Sequence, residues 1–299
     1  MLDNWIKIEG TVIDFTVPSF NKLINDPLVA AIEAVNDIVK KYPPPYNLLA
    51  SGGIDSQAML YAWKKSNHPF KVYTFRYNDT YNAHDLETLP LFCEQEGIDY
   101  SIIDFDYFKF LEEEYDSLAH RYQCSSPQIA MHIKMASFFT EGTCVYSGNF
   151  LSFNSAQLTH AILAVYRFSR TPEGKNIIPY FFLHTPELAY SVNQALLDKK
   201  LVIDHETDSS QFGKNAKTKI YRTFGIPVIP QKNKFTGFEK FKDHYDTHDY
   251  VLKDPKNRLR WQYKLSKRPF DWLFRYPYED LFGCPHITFV LNQPPYTII

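Results

Sequence analysis

A turn with two adjacent glycines places the strongest constraint on the fold of this chain. Residues 48–56 read LLASGGIDS and join a short apolar run, typical of a buried strand, to a stretch with the apolar spacing of a helix. Only 11 of the 299 residues are glycine, so we expect glycine mainly where the backbone geometry requires it. Gly52 and Gly53 therefore predict a sharp connection between a strand and a helix.

The same turn has the chemistry of a phosphate-binding site. Its glycines allow backbone N–H groups to approach an anion closely, and the hydroxyls of Ser51 and Ser56 can donate hydrogen bonds to phosphate oxygens. The helix that follows directs the positive end of its dipole toward the same point. A bare phosphate would repel Asp55, so this residue implies a divalent cation or a hydrogen-bonding partner. The alternative interpretation is a turn that only connects the two elements.

Strand-like and helix-like segments alternate through the first two thirds of the chain. Predicted strands lie at 46–50, 70–75, 98–105, 143–147 and 177–183, and predicted helices lie at 27–39, 54–65, 83–96, 127–141, 155–168 and 187–197. This alternation predicts an α/β fold with a five-stranded parallel sheet flanked by helices.

The predicted elements divide the chain into three parts. Residues 1–45 form a lead-in with a strand or hairpin at 6–15 and one helix, and residues 46–185 form the nucleotide-binding core. Residues 186–299 are aromatic and interrupted by prolines, and they predict a mostly helical C-terminal lobe.

Composition excludes several functional classes. A net charge of -2 argues against a protein that binds nucleic acid through bulk electrostatics. No apolar run approaches the roughly 18–20 residues that span a bilayer, so we expect no membrane partner. The four cysteines form no CxxC pair, which argues against a zinc ribbon or a paired-thiol redox site. We expect a cytoplasmic protein.

The run at 51–56 resembles the SGGxDS signature of the PP-loop ATP pyrophosphatases. In that family, ATP is cleaved between its α and β phosphates and AMP is transferred to a substrate. The resemblance implies an adenine nucleotide α-hydrolase fold with strand order 3-2-1-4-5, and ATP and Mg²⁺ as cofactors. It implies that Asp55 binds the metal ion and that the turn binds the nucleotide through Ala50, Ser51, Gly52, Gly53, Asp55 and Ser56.

Within this family, the chain is most similar to the synthetase domain of asparagine synthetases, without their glutaminase domain. Three further stretches, at 126–148, 178–187 and 217–238, follow the order of the family's motifs.

Two positions depart from the pattern. Asn149 aligns with the family's general-base glutamate, and Ser152 aligns with a metal-binding aspartate. An amide cannot take up a proton as a carboxylate does, so the usual route of aspartate amidation is in question.

The resemblance also implies catalytic roles for basic residues. Lys234 or Lys232 would bind the leaving pyrophosphate, and both remain candidates because the basic loop carries one extra residue. Arg222 would assist, and Asn149 would lie beside the reacting groups. The alternatives are a solvated basic loop, a surface ion pair for Arg222, and an Asp55 that only stabilises the helix dipole.

Other predicted contacts with the nucleotide follow from the sheet. Ligands of open α/β sheets bind at the carboxyl ends of the strands. Thr74, Phe75 and Arg76 end the second core strand and are expected to contact adenine or ribose, although Phe75 is equally well explained as core packing. Gly148 ends the fourth core strand beside the first, and we expect it to face the nucleotide.

These observations predict an AMP-forming ligase of the ATP pyrophosphatase type. It would adenylate a small carboxylate or base acceptor, and a nitrogen nucleophile would then displace AMP in an asparagine-synthetase-like amide formation. Ammonia would come from solution or from a separate ammonia-supplying subunit. The alternatives are a PP-loop enzyme that modifies a nucleobase or tRNA, and an ATP-binding protein that has lost catalysis.

Overall fold

A five-stranded parallel sheet forms the centre of the molecule. The computed structural model describes residues 5–9, 12–17, 24–124, 127–148, 160–198, 211–231 and 286–291. The sheet consists of β3 (Tyr46–Leu49), β4 (Lys71–Tyr77), β5 (Tyr100–Phe105), β6 (Thr143–Tyr146) and β7 (Ile177–Ile178). Its order is β5-β4-β3-β6-β7 with all neighbours parallel, which confirms the predicted order 3-2-1-4-5.

Helices connect the strands and cover both faces of this sheet. They are α1 (Pro27–Lys41), α2 (Ile54–Ser66), α3 (Ala83–Glu96), α4 (Tyr107–Glu113), α5 (Tyr115–Tyr122), α6 (Pro127–Ala136), α7 (His160–Ser169), α8 (Pro186–Asp198) and α9 (Gln211–Thr223). The start of α1 shows why sequence reasoning finds these helices, because the Asp26 carboxylate caps the first turn and Pro27 occupies its first position. Both α4 and α5 lie outside the predicted helices.

Two hydrophobic clusters lie on opposite faces of the sheet. One cluster packs α1, α2 and α8 around side chains such as Val35, Trp63 and Leu188. The other packs α4–α7 around side chains such as Tyr107 and Met131. Every residue of β3 is buried, as expected for the middle strand of a parallel sheet that is covered on both sides.

A second, three-stranded sheet joins the two ends of the chain. Strands β1 (Ile6–Glu9) and β2 (Val12–Val17) form an antiparallel hairpin, one of the two alternatives for this segment, and β8 (His286–Leu291) pairs in parallel with β2. Residues 186–299 therefore contain a strand that the sequence interpretation did not include, besides the described helices α8 and α9. The division into a core and a C-terminal lobe remains a prediction, because α8 packs in the same hydrophobic cluster as α1 and α2. Among the described residues, no helix is both long and apolar enough to cross a membrane.

Several predicted boundaries were wrong, and local chemistry explains one of them. The strand expected at 177–183 is only Ile177–Ile178, followed by a 3₁₀ turn at Phe181–Leu183. Pro179 lacks the N–H that a longer strand would donate to its neighbour. Helix α6 ends at Ala136 rather than at residue 141. Helix α7 begins at His160, and residues 155–159 of that prediction lie outside the described part of the chain.

Candidate active site

The glycine turn (residues 51–56) lies at the carboxyl edge of the parallel sheet, between β3 and α2. Gly53 is the N-cap residue of α2 and provides no side-chain hydrogen bond to the first turn. The Ala50 N–H donates to the Tyr73 carbonyl at 2.9 Å, so the pairing of β3 with β4 continues up to the turn. The positive end of the α2 dipole is thus presented at the sheet edge without a described side chain capping it.

Gly52 gives the turn its shape. Its φ is +69°, a left-handed conformation that favours glycine. A Cβ atom at this position would lie 2.7 Å from the carbonyl oxygen of Asp85 and 3.2 Å from the nitrogen of Leu89. The turn therefore packs directly against the backbone of α3, so both conformation and space require glycine here.

Three serine hydroxyls meet beside the turn. The Ser56 Oγ accepts a hydrogen bond from the Ser51 N–H at 3.2 Å, and it lies 3.4 Å from the Ser51 Oγ and 3.1 Å from the Ser147 Oγ. Ser56 is buried, whereas Ser51 is exposed. Ser56 thus organises the turn and links it to the end of β6, and the Ser51 hydroxyl is the one open to a ligand.

Asp55 in the first turn of α2 is held by two side chains of α9. The Tyr221 hydroxyl donates to Asp55 Oδ1 at 2.6 Å, and the Lys217 Nζ lies 3.5 Å from Asp55 Oδ2. Burial, together with the Asp55 carboxylate, raises the pKa of Tyr221 well above its usual value, which keeps the phenol protonated as a donor. The ammonium of Lys217 and the dipole of α2 together offset the charge of Asp55 at the place where an anion would bind.

The donor set around Asp55 fits a magnesium ion that arrives with a nucleotide. Within the described part of the chain, no group of three or more His, Cys, Asp or Glu residues is arranged to hold a metal ion. Magnesium is usually bound by one or two carboxylates together with substrate phosphates and waters. Asp55 supplies one such carboxylate, and its oxygens keep lone pairs beyond those that face Tyr221 and Lys217.

Gln57, one residue after the turn, joins it to a distant segment of the chain. Its side-chain nitrogen donates to the carbonyls of Gly52 at 2.7 Å and Ile229 at 2.9 Å, and its Oε1 accepts from the Ile229 N–H at 2.7 Å. The side chain is fully buried. All three polar positions of the carboxamide are therefore satisfied by backbone groups.

Asp85 of α3 provides a second contact with the same distant segment. Its Oδ1 accepts a hydrogen bond from the Gln231 side-chain nitrogen at 2.8 Å. Burial raises the pKa of Asp85 to about 7, although hydrogen bonds from Gln231 and Asn82 act in the opposite direction. A carboxyl group therefore changes its charge near neutral pH right beside the glycine turn.

The predicted nucleotide contacts on β4 run alongside the turn. Leu49 pairs with Tyr73, so Thr74, Phe75 and Arg76 extend beyond the end of β3. Thr74 and Phe75 are buried, and the Phe75 ring packs against Phe138 with its centroid 5.7 Å away. The exposed Arg76 guanidinium forms two hydrogen bonds with Asp104, at 2.5 and 2.8 Å. Packing thus accounts for Phe75, and the nucleotide contacts of these residues remain predictions.

Of the remaining predicted residues, the structure describes Gly148 and Arg222. Gly148 follows β6 with φ +60°, and a Cβ there would lie 1.9 Å from the Tyr180 ring. The Arg222 Nη2 donates to the Val228 carbonyl at 3.1 Å, so this guanidinium supports the loop after α9. Asn149, Lys232 and Lys234 lie outside the described residues, and their roles remain predictions.

Sequence reasoning missed several residues that contact the turn: Gln57, Asp85, Ser147, Lys217 and Tyr221. Lys217 and Tyr221 belong to a stretch that already stood out by its resemblance to a family motif, but no role followed from it. Their spacing of four residues places them on one face of a helix, which is a signal in the sequence. For Gln57 and Asp85, no local pattern distinguishes a functional contact from an ordinary polar residue in a helix.

Comparisons with known proteins find distant structural similarity only. No protein-family model matches the chain, and a search of curated proteins finds no match. An NMN synthetase from Francisella tularensis matches 71% of this chain and 76% of its own, with 12% identity and a TM-score of 0.38. A U34-tRNA thiolase from Methanococcus maripaludis matches 70% of this chain and 82% of its own, with 16% identity and a TM-score of 0.35.

A third solved structure is a glutamine-dependent NAD⁺ synthetase from Acinetobacter baumannii in complex with adenosine diphosphate. It matches 74% of this chain and 49% of its own, with 15% identity and a TM-score of 0.31. Matches at these identities and TM-scores assign neither a family nor a reaction to the chain. The resemblance to asparagine synthetases therefore remains a prediction.

Proposed function

We propose that this chain is an AMP-forming, ATP-dependent ligase that binds ATP with Mg²⁺ at the glycine turn. The observation that carries the proposal is the geometry of the turn itself. One side of it is closed by the backbone of α3, and its other side presents the start of α2 with no described side-chain cap. A strand, a glycine turn and a helix N-terminus in this order form a binding site for phosphate groups.

The charges around the turn suit a polyanionic ligand that carries its own cation. The dipole of α2 and the ammonium of Lys217 favour the phosphates, and Asp55 would hold the magnesium ion that accompanies them. The ion would supply positive charge that offsets the negative charge of the phosphate groups. Tyr221 keeps the Asp55 carboxylate in one orientation through its hydrogen bond. Ser51 would donate its exposed hydroxyl to a phosphate oxygen.

The proposed reaction proceeds in two steps. A carboxylate oxygen of the acceptor attacks the α-phosphorus, a new P–O bond forms, and the bond to the pyrophosphate oxygen breaks. A nitrogen nucleophile then attacks the acyl carbon, AMP leaves with the electron pair, and the proton lost from the nitrogen passes to water. Lys234 or Lys232, assisted by Arg222, would stabilise the charge that develops on pyrophosphate. Asn149 cannot serve as a general base, so the nucleophile would enter as a neutral amine or ammonia.

The test is product analysis with the full chain. ATP and Mg²⁺ are incubated with a panel of small carboxylic acids and ammonia, and AMP with pyrophosphate is the expected product pair. Release of ADP and phosphate instead would contradict the proposal. Asp55→Asn is expected to lose most of the turnover while the chain stays folded, as judged by circular dichroism.

Two outcomes would favour the alternatives. ATP binding without turnover on any acceptor would favour an ATP-binding protein that has lost catalysis. RNA binding with a steep dependence on salt would favour modification of a nucleobase or tRNA.

A further inference from the structure

A stiff segment of the chain runs beside the glycine turn. Residues 226–231, named here the proline segment, read IPVIPQ, and the prolines at 227 and 230 favour extended backbone at the residues before them. Both prolines also lack an N–H donor. Four of the six residues keep a backbone N–H, and the N–H of Ile229 donates to Gln57.

Gln57 pairs with Ile229 as a neighbouring strand would. Its Oε1 accepts from the Ile229 N–H, and its Nε2 donates to the carbonyl of the same residue, at 2.7 and 2.9 Å. A carboxamide has the same donor and acceptor groups as a peptide unit, so a single side chain completes both bonds. The second N–H of the carboxamide remains, and it donates to the Gly52 carbonyl at 2.7 Å.

The bond to Gly52 determines the direction of a backbone donor in the turn. In a planar trans peptide, the C=O and the N–H of the next residue point in opposite directions. Because Gln57 holds the Gly52 carbonyl toward the buried side, the Gly53 N–H points away from it, toward the open side of the turn. Without Gln57, this peptide could rotate and withdraw the donor from a bound phosphate.

We propose that Gln57 is a positioning residue, which locks the proline segment to the glycine turn and aims the Gly53 N–H at a phosphate of ATP. This inference rests on the proposed function, because it presumes that the nucleotide binds at the turn. The contact of Asp85 with Gln231 holds the same segment two residues further along the chain. Hydrogen bonds therefore link the proposed ATP site to the proline segment at two positions.

The experiment compares Gln57→Met with a matched control in the full-length chain. Methionine has a similar size and shape but offers none of the three hydrogen bonds. The control is Asn47→Leu, which also removes a buried carboxamide that donates to a backbone carbonyl, that of Glu141, at the amino end of β3. Urea denaturation measures the loss of stability in each variant and tests that both are folded.

Two measurements then separate positioning from a general structural role. ATP affinity in the presence of Mg²⁺ is measured by calorimetry, and exchange of the Ile229 amide hydrogen is measured by mass spectrometry. Gln57→Met is expected to weaken ATP binding by about ten- to a hundredfold, since the Gly53 N–H loses its fixed direction and a hydrogen bond to a charged group has about this effect on affinity. It is also expected to expose the Ile229 amide to exchange. Asn47→Leu should leave both quantities unchanged.

The outcomes distinguish this inference from the proposed function. Absence of ATP binding in the unaltered chain would contradict the proposed function. If the unaltered chain binds ATP and Gln57→Met binds it equally well, only the role of Gln57 is overturned. The same conclusion follows if Asn47→Leu loses as much ATP affinity as Gln57→Met. If Gln57→Met does not fold, Gln57→Glu keeps the length of the side chain and an acceptor oxygen but removes the amide N–H groups that donate to Gly52 and Ile229. Unchanged ATP affinity in that variant would overturn the inference as well.

Discussion

Replacement of Gly52 by alanine tests the geometry of the glycine turn directly. The residue has φ +69°, and a left-handed conformation costs a residue with a Cβ about 1–2 kcal/mol. The new methyl group would also lie 2.7 Å from the Asp85 carbonyl oxygen, a backbone atom that cannot move aside without a shift of α3. Forced overpacking of this kind costs about 1–3 kcal/mol. The free energy of unfolding should therefore fall by about 2–5 kcal/mol in total.

Gly97 is the matched control for this substitution. It ends α3 with φ +61°, and nothing lies within 4 Å of the position that a Cβ would occupy. Gly97→Ala therefore carries the conformational cost of about 1–2 kcal/mol without the steric contact. The smaller entropy of the unfolded chain with alanine applies equally to both variants and cancels in the comparison.

Equilibrium urea denaturation, followed by tryptophan fluorescence, measures the two free energies of unfolding. The difference between them is expected to be about 1–3 kcal/mol, the cost of the contact with α3. ATP binding should weaken in Gly52→Ala and stay normal in Gly97→Ala. If Gly52→Ala costs no more than Gly97→Ala, the turn does not pack against α3 as described, and the reasoning is refuted.

Three further predictions follow from side chains near the turn. Burial raises the pKa of Asp85 from 3.8 to about 7 in the folded state, so the contribution of this residue to stability should fall by up to about 4 kcal/mol as pH rises from 4 to 7. Burial lowers the pKa of His132 to about 4, which acts in the opposite direction over the same range. The measured quantity is therefore the difference in pH dependence between the unaltered chain and Asp85→Asn in urea denaturation, and identical pH dependence in both would contradict the shift. Tyr221→Phe removes the donor to the Asp55 carboxylate and should lower the free energy of unfolding by about 1–3 kcal/mol. The rate of ATP turnover should fall as well, and an unchanged rate would show that turnover does not depend on the orientation of Asp55. Arg76→Met breaks an exposed ion pair and should barely change thermal stability. A large loss of ATP affinity in calorimetry would therefore support the predicted contact with ribose or adenine, and unchanged affinity would exclude that contact.

Much of the architecture could be predicted from local signals. The five-stranded parallel sheet and the α2 helix after the glycine turn agree with these local signals. The order of the strands agrees with what the family resemblance implies, and β1 and β2 form a hairpin, one of the two alternatives left open. The pattern succeeds because strands and helices have different periods of apolar residues, and because Gly52 and Gly53 stand where the backbone bends sharply. It fails at β8, since the pairing of residues 286–291 with residues near the other end of the chain is a long-range contact.

The surroundings of Asp55 show the limit of sequence reasoning most clearly. The sequence by itself determined that a carboxylate would follow two glycines at the start of a helix, because the bond geometry of the turn and the helix dipole act over a few residues. Only the tertiary structure decided that Tyr221 and Lys217 would hold this carboxylate, and that Gln57 would pair with Ile229 across 172 positions of the chain. Such contacts depend on how α9 and the proline segment dock onto the sheet, and docking is governed by packing of whole surfaces, which no local pattern records.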